Sequence, residues 1–403
     1  MVKGCMTVTI RKPVSLLFLL TWGWCALDAT AQVEEEVSLR QHLQSIPDAI
    51  DKQARRHARQ DHFHLLKGLG LFAGADENVY RSPDEFESNA AFWGYWGLIR
   101  ADWRIAGKER LMSTATWQQV TYPDHPLADL EAGELRNWYT RPITDTSSMQ
   151  ASVRVKRRSD ESANIRGEDF RRDYAYWRYN AKLSWVWQPD RTHRFDWGSG
   201  YAFKNYDEVS GLESLDWHEL SVDARYRYRT ESAGILRVSY SLGRRDYQEA
   251  LAGFRDGSEM ETNPQESHFY HDATLRYIYP LNERLELGTG YSYEIKNDRF
   301  ADYESYQSHE FDLRANWSIQ DNTHLHGRAG YTFRDYDNIS AGDRRTLNYD
   351  QIELQLQLQH QLTDSVTLSG SVEFFYRNTN KSTGTIFRDY RGVVYYVGLS
   401  YFF

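Results

Sequence analysis

Arg225, Arg227 and Arg229 alternate with Ala224, Tyr226 and Tyr228. In an extended strand three guanidinium groups therefore point one way and the apolar side chains the other. The same two-residue spacing puts Arg154 with Lys156, and Arg178 with Lys182, on one side of their segments, and Arg237 opposite its apolar neighbours. Asp196 and Asp223 alternate into the same arc, too few to neutralise it. Cations at this spacing do no covalent chemistry. They form a wall of fixed positive charge, which favours anions wherever it lines a confined aqueous path. The competing reading is structural, with the cations neutralised by acidic loops or by an inserted helix.

Covalent chemistry has little to stand on. Ser199, in Gly198-Ser199-Gly200, belongs to the apolar set of its strand, lacks a nucleophile-elbow pattern and has no histidine placed beside it. His324 and His326 alternate to one side and His360 to the other, so the three do not converge. Asp335-Tyr336-Asp337-Asn338 lacks the glycine and terminal glutamate of a calcium loop. The only cysteines are Cys5 and Cys25, and no phosphate-cradling glycine loop occurs. No catalytic residue, cofactor or metal is expected.

The elements that must carry these residues are strands. Gln351–Leu362 alternates Ile352, Leu354, Leu356 and Leu358 with Gln351, Glu353, Gln355, Gln357 and Gln359. No soluble sheet needs so polar an inner face. Short polar turns recur near residues 189–192, 230–233, 281–284, 320–323 and 362–365, separated by longer stretches such as 246–267 and 335–343. A β-propeller has a similar repeat, but each unit here holds two long alternating runs rather than four short strands. The runs are long enough to span a bilayer when tilted. The strongly negative mean hydropathy does not oppose this, because only every second residue must be apolar. The pattern predicts an all-β, antiparallel up-and-down barrel of sixteen strands from residue 62 to 403. Fourteen is the alternative, because Arg136–Arg141 alternates poorly.

The chain ends on Tyr395, Val397, Leu399, Tyr401 and Phe403, one apolar face closing on a terminal aromatic. This resembles the last strand of Gram-negative outer-membrane β-barrels, whose insertion machinery reads such an ending. The resemblance implies an outer-membrane location in contact with lipid and lipopolysaccharide; the even strand count puts both termini in the periplasm, and the acidic net charge argues against a nucleic-acid partner. Aromatic residues at 15% suit its interfacial girdles. Lys3, Arg11 and Lys12 before an apolar run and Ala29-Thr30-Ala31 predict a signal peptide over residues 1–31. Its removal takes away three basic residues and Asp28, moving the net charge from −9 to −11. Residues 32–61 are expected to be a helical periplasmic segment, with a lumenal plug or a docking helix as alternatives.

Gly74 to Ser82, with Asn78-Val79-Tyr80-Arg81, is similar to a segment of porins associated with exopolysaccharide loci. That likeness implies passage of a secreted polysaccharide, together with periplasmic export components. The expected function is thus a channel or export conduit for an anionic or sugar-rich solute. The alternatives are a plugged barrel acting through its outer loops as a structural, adhesion or assembly protein, and an outer-membrane hydrolase.

Overall fold

The computed structural model describes residues 63–79, 89–107, 109–160, 175–207, 214–232, 234–342, 345–380 and 389–403. The expected signal peptide and the 32–61 segment lie outside the described residues, as do Tyr80 and Arg81.

Sixteen strands form one closed barrel: β1 (Phe63–Asp76), β2 (Ala90–Ala106), β3 (Glu109–Thr121), β4 (Leu130–Pro142), β5 (Ser147–Asp160), β6 (Tyr176–Trp187), β7 (His193–Tyr206), β8 (Trp217–Arg229), β9 (Ile235–Leu251), β10 (Gln265–Pro280), β11 (Leu285–Asp298), β12 (Tyr306–Gln320), β13 (Thr323–Gly342), β14 (Arg345–Gln361), β15 (Val366–Thr379) and β16 (Tyr390–Phe402). Each runs antiparallel to the next, and β16 pairs with β1. Closure leaves no sheet edge, the condition for strands to sit in hydrocarbon. Among the described residues the only helical piece is a single 3-10 turn, Pro126–Ala128.

The two ends of the barrel differ. Connections such as 188–192, 281–284 and 362–365 are short, and side chains tie them: Asp190 accepts from the N–H groups of Thr192 and His193, both at 2.7 Å. Those N–H groups, His193 foremost, hold the Asp190 carboxyl below the usual aspartate range. Most connections at the other end are longer, among them 252–264 and 299–305.

Every strand turns an apolar face outward. Leu71 is 65% exposed and Val397 61%, with Trp93, Ile99, Leu313 and Leu356 in the same belt. So continuous an apolar exterior belongs in a bilayer, not in water. Near the short-turn end Trp187, Phe195 and Trp197 stack side by side, with centroids 5.2 and 5.8 Å apart, as an interfacial girdle does.

Two local departures from the sequence pattern have physical causes. In β4, Trp138 takes the inner face opposite Ser152, while Asn137 faces out beside Ser113 and Val153. The outward amide is tolerated because the Ser113 hydroxyl donates to its oxygen at 2.7 Å. The poor alternation therefore hides a true strand, and the fourteen-strand alternative fails. Residues 335–342, expected within a loop, instead extend β13. Tyr306, Tyr336, Ile339, Ala341, Leu347 and Tyr349 bury one another there, giving the hairpin beyond the barrel wall an apolar clasp of its own.

The inner face is not uniformly polar either. On β16, β1, β2 and β3, Leu66, Phe72, Phe92, Trp96, Leu98, Val120, Val394 and Phe402 are buried inside the barrel. Inward glycines accept the rings. A Cβ on Gly70 would stand 2.3 Å from Trp96 Nε1, and one on Gly94 would stand 2.4 Å from Phe72 Cζ. Aromatic rings laid over glycines make a dry seam where the barrel closes.

Candidate functional site

All eight basic residues singled out from the sequence share the inner face, because exposed apolar residues such as Val153, Trp177, Tyr179, Val222 and Val238 take the outer one. The structure divides them by partner. Arg154 donates to Glu134 at 2.6 Å, and Lys156 lies directly opposite the same glutamate. Arg178 donates to Asn180 at 3.2 Å and sits 5.4 Å above the Trp217 ring. Lys182 pairs with Asp223, and Arg225 stands 3.4 Å from that aspartate's other oxygen. For Arg227, Arg229 and Arg237 no carboxylate lies at ion-pair distance among the described residues.

Strand register adds what spacing could not. Arg194 on β7 lies directly opposite Arg227 on β8, which lies opposite Arg237 on β9, which lies opposite Arg276 on β10. Four guanidinium groups thus cross four adjacent strands in one row near the short-turn end. Like charges placed directly opposite are destabilising. The ends of the row are neutralised: Arg194 bonds Asp196 at 2.9 Å, and Arg276 bonds Asp312 at 3.0 Å. Its middle is not.

Glycines make the flanking pairs possible. Asp312 on β12 reaches Arg276 on β10 across Gly290 of β11, where a Cβ would come within 2.3 Å of the aspartate oxygen. Lys182 on β6 meets Asp223 on β8 across Gly198 of β7 in the same way. Acids are thereby fastened on both sides, leaving Arg227 and Arg237 of the row, and Arg229 at the next inward position of β8, without a carboxylate at ion-pair distance among the described residues.

Toward the long-loop end the inner cations are held differently. Lys204 lies 3.8 and 4.6 Å from the Tyr176 and Tyr206 rings, Arg245 lies 4.1 and 4.8 Å from Trp217 and Tyr270, and Arg377 lies 4.6 and 4.9 Å from Tyr349 and Tyr390. Arg334 sits likewise between Tyr306 and Tyr349. Arg245 also donates to the fully buried Glu219 at 2.6 and 3.0 Å. Cation–π contacts turn this part of the wall into a stiff collar rather than a set of free charges.

The remaining sequence candidates do not assemble. His324 bonds Ser318 at 3.0 Å, His326 bonds Asn316 at 2.8 Å and His360 bonds Thr323 at 2.8 Å, each a local wall contact. Ser199 pairs with Leu183 and Val222 on the lipid side. Asp337 and Asn338 lie in β13, where they bond Ser305 and Asp302 of the neighbouring loop. Asn78 is fully buried and donates to the Arg391 carbonyl at 2.9 Å, fixing the start of the β1–β2 connection on β16.

No protein-family model and no curated protein sequence matches the chain. Solved structures similar to it include three outer-membrane barrels. OccAB1 of Acinetobacter baumannii has a TM-score of 0.46 at 6% identity, over 84% of this chain and 96% of that one. An anion-selective porin from Comamonas acidovorans has 0.43 at 11%, over 85% and 99%. OmpT of Vibrio cholerae has 0.44 at 8%, over 86% and 99%. Likenesses of this size carry nothing about what this barrel binds or passes.

Proposed function

We propose that the protein is an outer-membrane channel with an anion-preferring lumen, an export or uptake conduit for an anionic or sugar-rich solute. The observation that carries this reading is the arginine row, whose middle cations have no carboxylate at ion-pair distance among the described residues. A fixed cationic row inside a low-dielectric wall concentrates anions and repels cations, without cofactor or covalent chemistry. An acidic secreted polysaccharide is the solute that the exopolysaccharide-type segment around Asn78 favours, with periplasmic export components as partners. The short-turn end is the periplasmic one, so both termini lie there. Tyr395, Val397, Leu399, Tyr401 and Phe403 serve as the insertion signal, and residues 32–61 as a periplasmic segment.

The test is single-channel recording from the folded protein in planar bilayers. A steady conductance whose anion preference falls when Arg225, Arg227 and Arg229 are replaced by serine supports the conduit. Electrical silence from folded protein would favour the alternative, a plugged barrel working through its outer loops.

A further inference from the structure

Glu266 and His268 lie two residues apart on the inner face of β10, near the long-loop end. Glu304 reaches them from the connection between β11 and β12. One ligand atom from each lies within 4.8 Å of the other two. Neither the anion-selective row nor the aromatic collar uses this cluster.

The histidine is the informative member. Its side chain is fully buried, and Nε2 stands 3.0 Å from a Glu266 oxygen and 3.8 Å from a Glu304 oxygen. Despite the 3.0 Å approach, Nε2 does not complete a hydrogen bond of good geometry with either carboxylate. A buried ring nitrogen in this condition is costly. One nitrogen and two carboxylate oxygens converging this closely are spaced as ligands around a common centre can be. The ring is also held in place, edge-on to Tyr247 at 5.6 Å and to Tyr270 at 6.1 Å.

The loop bearing Glu304 is built rather than slack. Asp298 accepts from the N–H groups of Phe300 and Tyr303 at 2.9 and 3.0 Å, and its own N–H donates to Ser305 Oγ at 2.9 Å. Asp302 takes the left-handed conformation at φ 59°, and its carbonyl accepts from Asn338 at 2.8 Å. Lys296 donates to Glu304 at 2.5 Å, so a cation already favours this carboxylate. With the imidazole neutral, two carboxylates and one ammonium leave a net negative charge.

We propose that Glu266, His268 and Glu304 form a binding site for a divalent transition-metal cation of the zinc class, with its remaining positions open to water. One imidazole and two carboxylates suit such an ion. Binding ties the barrel wall at β10 to the β11–β12 loop. That loop already packs Phe300 against Phe254 of the 252–264 loop, the rings tilted and their centroids 5.2 Å apart. The ion therefore braces two of the long loops over one quadrant of the mouth.

The test is titration of the untagged full chain, folded in detergent, with Zn2+ by calorimetry and with Co2+ by visible absorption. One equivalent should bind. Glu266→Gln and His268→Gln should each weaken binding about tenfold or more, and Lys296→Gln, which removes the competing ammonium, should tighten it. Heat-modifiable migration on gels reports that each variant is folded. Glu304→Gln lies in a loop and serves if a strand variant fails to fold. Absence of stoichiometric binding, or binding unchanged in the folded variants and hence held by other histidines, would overturn the site.

Discussion

Replacing Arg227 by serine should make the barrel more stable. Arg227 has Arg194 directly opposite on one side and Arg237 on the other, and no carboxylate at ion-pair distance among the described residues. Each directly opposed like-charge pair costs on the order of 0.2–1 kcal/mol. Two such pairs give about 0.4–2 kcal/mol. Two unit charges ~7 Å apart in water repel by about 0.6 kcal/mol, which places the sum near 1 kcal/mol. Lost packing of the arginine stem offsets part of the gain. The variant should therefore gain up to about 1 kcal/mol at low salt, and the gain should vanish near 1 M salt, where the screening length is about 3 Å. Reversible urea unfolding followed by tryptophan fluorescence, at low and high salt, measures it. Arg227→Lys keeps the charge and should gain nothing. A serine variant less stable than the parent at low salt would show that Arg227 is a structural partner, and would refute the reading of the row as uncompensated charge.

Gly70→Ala should cost about 1–3 kcal/mol in the same assay, because its Cβ would stand 2.3 Å from Trp96 Nε1 and the indole is packed in the closing seam. Gly330→Ala, whose Cβ would meet nothing nearer than 3.8 Å, is the control, and equal losses in the two would contradict the account of the seam. Phe403→Ser should lower the amount of folded barrel recovered in outer membranes while leaving refolding in detergent nearly unchanged. The backbone of Phe403 bonds Lys67 in both directions at 3.0 Å, and serine keeps those bonds. Undiminished membrane assembly would remove the terminal aromatic from the insertion signal.

How far the sequence could be read depended on whether a feature lives within one strand or between strands. Ile352, Leu354, Leu356 and Leu358 mark β14 without ambiguity, since alternation is a local property. Strand β4 is harder, because Asn137 faces lipid and Trp138 faces inward, and the bond that excuses Asn137 comes from Ser113 on another strand. The continuation of β13 through Gly342 was hidden because its support is the mutual burial of Ile339, Ala341 and Leu347, not a bilayer-facing repeat. At the site, alternation is enough to put Arg227 and Arg237 on one face. It cannot show that they are opposed to each other, or that Gly198 and Gly290 let distant acids neutralise the flanks and leave the middle bare. Register decides that, and register depends on turn lengths and bulges as well as on pattern. Glu304 shows the same limit: only the fold of its loop brings it to His268.

The most direct test of the central claim is the reversal potential of the folded protein in a planar bilayer under a potassium chloride gradient. An anion-preferring lumen predicts a reversal potential on the chloride side of zero, which moves toward zero when Arg227 and Arg237 are both replaced by serine. A reversal potential on the potassium side, or a chloride preference that survives loss of both arginines, would contradict it.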